Sequence, residues 1–299
     1  MNVQIVEVGP RDGLQNEKEL LPAQVKIQLI DKLVAAGLKR VEATSFVNPR
    51  WIPQLADAEE VLQGINRPED VRFSALVPNV RGMERARASG LTEIALFMSA
   101  SETHNVKNIN KSMEETFPVL REVAREALAL GMRVRGYVST VFGCPYEGAV
   151  PIDNSRRVTD ELLEMGAFEI SLGDTIGVAT PKQVREVLAA MLRDVPTERL
   201  AGHFHDTRGT GMANVAAALD MGLRTFDSSI GGLGGCPYAP GAAGNISTED
   251  LVYLLQGIGY ETGVDLNRLV EAGAYIQEQL GRELSSKVLK AELASKRAG

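Results

Sequence analysis

Leu200-Ala-Gly-His-Phe-His-Asp-Thr207 is a mostly apolar run followed closely by Gly209 and Gly211. It reads as a strand that ends in a turn. Helical patterns flank it, Pro181–Arg193 before and Gly211–Gly222 after, and a further strand pattern, Thr225–Ile230, comes next. The same βαβ rhythm runs along the whole chain at a spacing of roughly 25–35 residues. The other predicted strands are Val3–Val8, Arg40–Phe46, Arg72–Val77, Glu93–Met98, Arg133–Ser139 and Glu169–Gly173. Predicted helices include Pro22–Gly37 and Pro118–Gly131; several open near Pro and close on Gly, as helix starts and stops do. Eight such units predict an α/β fold, a TIM (β/α)8 barrel, with a doubly wound open sheet as the alternative. The 299 residues suit a single barrel domain spanning 1–299. Beyond strand eight, Thr248–Gly257, Asn267–Gly281 and Ser285–Arg297 read as helices. One of them finishes the barrel. The rest, from about residue 265 to 299, is expected to be a C-terminal helical extension beneath or beside the barrel, or at an oligomer contact.

The opening segment also carries two of the chain's three histidines, His203 and His205. On a strand, residues i and i+2 point to the same side. Two imidazoles projecting together at a strand end suit two cis ligands of one metal ion, or a hydrogen-bonded pair. In barrels the active site lies at the C-terminal ends of the strands, so the residues there decide between these readings. After strand one come Arg11 and Asp12, which alone would read as a turn. Strand two holds Glu42; a carboxylate inside an apolar strand is costly unless it is paired or functional. Strand six ends at Asp174. Strand eight leads into Gly231-Gly-Leu-Gly-Gly-Cys-Pro-Tyr-Ala-Pro-Gly-Ala-Ala-Gly-Asn245, a glycine-rich loop holding one thiol, Cys236. The thiol is either a small filler or a reactive group carried on a lid. Asp12, His203 and His205 would make three protein ligands, and Asn245 would add an amide oxygen. Oxygen and imidazole donors without a thiolate cluster favour Mg²⁺, Mn²⁺ or a catalytic Zn²⁺.

Composition narrows the function further. A net charge of −7 and a pI near 5.2 argue against sequence-independent nucleic-acid binding. Two cysteines cannot build a disulfide framework, and a bridge between Cys144 and Cys236 would be unusual in a chain of cytosolic character. No apolar run is long enough for a membrane span, and the N-terminus enters a strand pattern directly, so a cytoplasmic location is expected.

With these residues assembled, the chain resembles the 3-hydroxy-3-methylglutaryl-CoA lyase family. The matching stretches include Val8-Gly-Pro-Arg-Asp-Gly-Leu-Gln-Asn-Glu17, Ser45-Phe-Val-Asn-Pro-Arg-Trp-Ile-Pro-Gln54 and Val141-Phe-Gly-Cys-Pro-Tyr-Glu-Gly148. Ser171-Leu-Gly-Asp-Thr-Ile-Gly-Val178, His203-Phe-His-Asp-Thr207 and Gly232-Leu-Gly-Gly-Cys-Pro-Tyr-Ala239 continue the series. The resemblance implies metal-dependent cleavage of 3-hydroxy-3-methylglutaryl-CoA to acetoacetate and acetyl-CoA, and a homodimer or larger homo-oligomer. It implies Asp12, His203, His205 and Asn245 as metal ligands. It implies Arg11 as the residue that stabilises the product enolate, Cys236 as the loop thiol that protonates it, and Glu42 and Asp174 as acidic residues needed for catalysis. Ser45, His104 and Arg208, with Arg11, are the candidate substrate contacts. The chain departs from the family pattern at Arg208, where Tyr is common, at Asn48 and Arg50, and around His104. His104 itself reads as a substrate contact or a polar loop residue. A positive charge at Arg208 would favour a different or larger carboxylated acyl group. A different branched 3-hydroxyacyl-CoA, a related condensing enzyme and a silent acyl-CoA-binding protein are the competing readings; a thiol on a lid favours cleavage, whose enolate must be quenched by an acid.

Overall fold

The protein is described by a computed structural model that covers residues 2–235 and 244–298. Eight strands close into a barrel in chain order: β1 (Gln4–Glu7), β2 (Arg40–Ser45), β3 (Arg72–Leu76), β4 (Glu93–Ser99), β5 (Arg133–Ser139), β6 (Glu169–Asp174), β7 (Leu200–Phe204) and β8 (Thr225–Ser228). Each strand pairs in parallel with the next, and β8 returns to β1, so the sheet has no open edge. Parallel neighbours need long crossovers, and helices supply them. These are α1 (Ala23–Ala35), α2 (Ala58–Gly64), α3 (Val80–Ala88), α4 (Glu102–Ile109) followed by α5 (Met113–Ala129), α6 (Ile152–Glu164), α7 (Pro181–Met191) and α8 (Gly211–Asp220). The expected barrel is therefore present, and the open sheet is excluded.

After β8, α9 (Thr248–Gly257) completes the eighth unit. α10 (Leu266–Leu280) packs beside α1 and α9, and α11 (Lys287–Ala298) packs on α9 and α10. The α10–α11 connection does more than lie beside the barrel. Ser285 N and Ser286 N donate to Gly231 O at 3.1 and 3.2 Å, at the root of the loop after β8. Part of the extension therefore reaches the C-terminal rim. Among the described residues no helix is long and apolar enough to cross a membrane.

One helix boundary differs from expectation. α5 starts at Met113, with Pro118 inside it. Ser112 and Glu115 form a reciprocal capping box, Ser112 Oγ accepting from Glu115 N and Glu115 Oε2 accepting from Ser112 N. That cap fixes the start one and a half turns ahead of the proline.

Two kinds of interior result. Between strands and helices lies an aliphatic layer of fully buried residues such as Ile30, Leu33, Val123, Leu162, Leu188, Val215, Leu251 and Ile276. Each such side chain contributes about 1.5–3 kcal/mol on burial. Inside the barrel the filling is polar, unlike the branched aliphatic layers usual in this fold. Arg40 holds Glu169 through two nitrogens, at 2.8 and 3.0 Å. Arg135 donates to Glu169 Oε1 (2.6 Å), Tyr137 Oη (2.8 Å) and Asp227 Oδ1 (2.7 Å).

Candidate metal and active site

The site forms where β7, β8 and β1 end together. β7 stops at Phe204, one residue earlier than expected, and His205 instead forms a backbone bridge with Asn245. That bridge brings the chain returning from the glycine-rich loop beside the histidines. Phe204, between the two, is buried and meets Phe142 with ring centroids 5.9 Å apart, while the imidazoles project to the other side. Their Nε2 atoms face each other at 3.3 Å. After β1 the chain makes a tight turn, Gly9–Gly13, in which the N–H groups of Arg11, Asp12 and Gly13 all donate to Val8 O. A side chain at Gly9 would collide with Glu7 Oε1, which a Cβ would approach to 2.6 Å. The turn carries Asp12 to the histidines: donor atoms of Asp12, His203 and His205 all lie within 4.8 Å of one another.

Asn245 closes the set. Its Nδ2 donates to Asp12 Oδ2 (2.8 Å) and Leu233 O (3.1 Å). Its Oδ1 is buried and has no hydrogen-bond partner among the described residues, and neither has His205 Nδ1. A buried acceptor without a partner is costly and calls for an explanation. Two oxygens and two imidazole nitrogens converge here, a donor set that fits a divalent cation. The backbone of Gly234, at φ +111°, passes so close to Asn245 that a Cβ there would sit 2.7 Å from Nδ2. That glycine is required by the approach.

Electrostatics separate the donors. Burial alone would raise the Asp12 pKa, but Arg11 and the two histidines outweigh it and hold the carboxyl below its usual range. Burial, with His203 alongside, pushes His205 down to about 4, so its ring is a neutral donor. His203 is raised despite burial, because Asp227 faces it. Arg11 donates to Asp12 Oδ1 at 2.6 Å and, through Nε, to Glu42. Its charge is secured by those two carboxylates against the opposing pull of burial.

The remaining predicted residues fall in different places. Glu42 is wholly buried and joins the cluster, accepting from both Arg11 and Tyr137 Oη. Asp174 ends β6 and uses both carboxylate oxygens to accept from Val178 N (2.9 Å) and Ala179 N (3.1 Å). Burial raises it to about 6. Arg208 spends Nη1 on the carbonyls of Ile176 and Gly177, both at 2.9 Å, so it grips the same β6–α7 loop. Ser45 is buried, and its Oγ accepts from Val47 N at 3.2 Å. His104 is buried in the first turn of α4, with Nδ1 3.1 Å from Ser99 Oγ; burial pushes its pKa down to about 4. Cys236 lies outside the described residues. Cys144 is a free, buried thiol.

Sequence reasoning missed three members of the cluster: Arg135, Tyr137 and Asp227. Asp227 lies 3.1 Å from His203 Nδ1. The signal for it was the one that flagged Glu42, a carboxylate within an apolar strand pattern, Thr225-Phe-Asp-Ser228. Arg135 and Tyr137 stand at i and i+2 on β5, where a strand start rich in Arg reads equally well as solvated.

Comparison with known proteins places this geometry. Residues 2–276 match the family model described as HMGL-like. A Bos taurus protein named hydroxymethylglutaryl-CoA lyase, mitochondrial, is 54% identical over 289 residues, covering 97% of this chain and 89% of its own. The crystal structure of the Bacillus subtilis HMG-CoA lyase superposes with a TM-score of 0.96 at 51% identity, covering 97% of each chain. An Acinetobacter baumannii HMG-CoA lyase, solved in complex with coenzyme A and 3-methylmalate, gives a TM-score of 0.93 at 41% identity, covering 97% of this chain and 95% of that one.

Proposed function

The chain belongs to the HMGL-like family, and on that premise we propose that it is a divalent-metal-dependent lyase. It splits 3-hydroxy-3-methylglutaryl-CoA into acetoacetate and acetyl-CoA. The observation that carries the reading is the convergence of Asp12, His203, His205 and Asn245 Oδ1, which has no partner among the described residues, beside a fixed guanidinium, Arg11. Those four residues would hold the ion. When bound, a divalent cation eases ionisation of a hydroxyl and polarises a carbonyl.

The protein's own groups account for the rest. Cleavage begins as the tertiary hydroxyl passes its proton to a neighbouring carboxylate or histidine of this rim; the C–C bond then breaks, its electron pair leaving as an enolate on the acetyl thioester while the alkoxide becomes the ketone of acetoacetate. Arg11 has one nitrogen committed to Glu42 and one to Asp12, so its guanidinium cannot swing away. We assign its Nη2 to the thioester oxygen, where a preorganised cation stabilises charge as it appears. Glu42, gripped in turn by Tyr137 Oη, sets the plane of that guanidinium. Cys236 delivers the proton that quenches the enolate carbon. Asp174 and Arg208 act from either side of the β6–α7 loop and shape the rim at which the acyl group enters. This use of Arg208 supports the six-carbon 3-hydroxy-3-methylglutaryl group rather than a larger acyl group, since Nη1 already serves two carbonyls. Ser45 and the neutral His104 remain our assigned contacts for the uncharged parts of the thioester.

The test is a cleavage assay on purified protein loaded with Mg²⁺ or Mn²⁺, following acetoacetate and acetyl-CoA, with EDTA as the control. Turnover that EDTA abolishes supports the reading. A folded, metal-loaded protein that leaves this substrate intact refutes it and directs the search to other branched 3-hydroxyacyl-CoAs.

A further inference from the structure

His203 and His205 differ in what stands behind them. His205 Nδ1 is buried without a hydrogen-bond partner among the described residues. Behind His203 stands Asp227, with Oδ2 at 3.1 Å from Nδ1. Asp227 on β8 is the register partner of His203 on β7, so the pleat turns both side chains to the same side. Asp227 is wholly buried and cannot turn away. Ser171 Oγ donates to the same Oδ2 at 2.6 Å, and Arg135 Nη2 donates to Oδ1 at 2.7 Å. Arg135 is held by Glu169, and Glu169 by Arg40. Charges therefore alternate through the barrel, from Arg40 at the N-terminal end to Asp227 beneath the site. Neutralising Arg135 does not by itself explain Asp227, because Arg135 already has Glu169 and Tyr137 Oη. The Oδ2 atom lies 3.3 Å from Arg135 Nη1, farther than it lies from Ser171 or His203.

We propose that Asp227 is the positioning residue of the metal site. It fixes His203 as the Nδ1–H tautomer and so leaves the Nε2 lone pair aimed at the ion, with Arg135 and Glu169 holding Asp227 in place. The reason is elementary: a carboxylate is an acceptor only, so the nitrogen facing it must carry the hydrogen. A carboxylate behind a metal-bound imidazole also makes the ring a stronger donor. The inference rests on the reading of Asp12, His203, His205 and Asn245 as metal ligands.

The experiment is a Mn²⁺ titration of the full chain and of Asp227→Asn, read by the EPR signal of free Mn²⁺, which needs no turnover. Asp227→Asn is expected to raise the Kd about 10- to 100-fold, with an unchanged far-UV CD spectrum. An unchanged Kd in the folded variant overturns the proposal. Asp227→Asn leaves Arg135 less well paired and can fail to fold, so a second measurement uses the unmodified protein. In ¹⁵N-edited spectra of its three imidazoles with Mg²⁺ bound, His203 is expected to carry hydrogen on Nδ1. Hydrogen on Nε2 overturns the proposal without any variant. If the unmodified chain binds no Mn²⁺, the metal reading falls and this inference falls with it. If it binds and the variant binds equally well, only the role of Asp227 falls.

Discussion

The two ends of the barrel interior treat buried charge in opposite ways. Toward the N-terminal end, Arg40, Glu169, Arg135 and Asp227 alternate in sign, and each touches a partner of opposite charge. At the C-terminal end, Asp12, His203, His205 and Asn245 crowd around one point, and two of their buried polar atoms have no hydrogen-bond partner among the described residues. Paired charge serves rigidity and leaves nothing over for a ligand. Donors gathered without partners are an arrangement that only a further group completes. The comparison also explains how a polar barrel core is tolerated: the closed lower network supplies the fixed platform on which the open upper one is held.

The sharpest way to break the contrast is to unpair the lower end. Arg135→Met leaves Glu169 and Asp227 without their shared cation, and should cost about 3–5 kcal/mol of stability in urea unfolding. A loss below about 1 kcal/mol would mean that the lower end is not the rigid one. The upper end should respond in rate instead. Cys236→Ala is expected to lower kcat by about 10²–10⁴, with Mn²⁺ affinity unchanged; parallel loss of metal would remove the thiol from its assigned role. Arg11→Gln should lower kcat by about 10²–10³, seen in steady-state kinetics, and should also lower the unfolding midpoint, because it leaves the wholly buried Glu42 without its cation.

A pair of buried carboxylates at the C-terminal rim sharpens the comparison through pH. Glu7 accepts from Gly9 N, Ile230 N and Thr248 Oγ1, and Glu249 accepts from Gly231 N, so both support the roots of the β1 and β8 loops. No cation compensates them among these contacts. Burial raises Glu7 to about 7; burial, with Glu7 nearby, raises Glu249 to about 8. The folded state therefore keeps protons that the unfolded chain gives up near its ordinary value of 4.5. Their contribution to stability is complete below that value, declines as pH rises toward 7–8, and is level above. Glu249→Gln should flatten the fall in unfolding free energy between about pH 5 and 8, by on the order of 4 kcal/mol at the upper end, read from urea unfolding at each pH. An equally steep fall in the variant would show that Glu249 is ionised in the folded protein. The smallest effect is expected from Lys39→Met, which breaks an ion pair with Asp70 that is more than half exposed at both partners. Its urea midpoint should not move measurably, since solvent screens such pairs; a clear shift would extend the rigid lower network to the surface.

Much of this was legible in the sequence where the cause is local. Strand ends came within about two residues of the predicted ones, because Gly and Pro mark helix starts and stops. His203 and His205 share a side because the pleat has period two. Ser112-Met-Glu-Glu115 carried the capping-box pattern that starts α5, although Pro118 suggested a later start. Other features had no local cause. Asp174 and Asp227 are both acids in strand patterns, yet Asp227 touches a histidine while Asp174 binds two backbone N–H groups of its own loop. Arg208 read as charge beside the substrate, and its Nη1 turned out to grip loop carbonyls. Residues in the α10–α11 connection read as peripheral, and two of their N–H groups hold the root of the β8 loop.

By itself the sequence determined the repeating βα units, the strand-end turn that carries Asp12 and the side-by-side histidines, since each follows from the covalent spacing of neighbours. Only the tertiary structure decided which carboxylates face those histidines. Asp12 and Asn245 stand 233 residues apart and share a hydrogen bond; His203 and Asp227 meet across two adjacent strands. Barrel closure sets those distances through strand register, and register is a property of the closed sheet that no single segment carries.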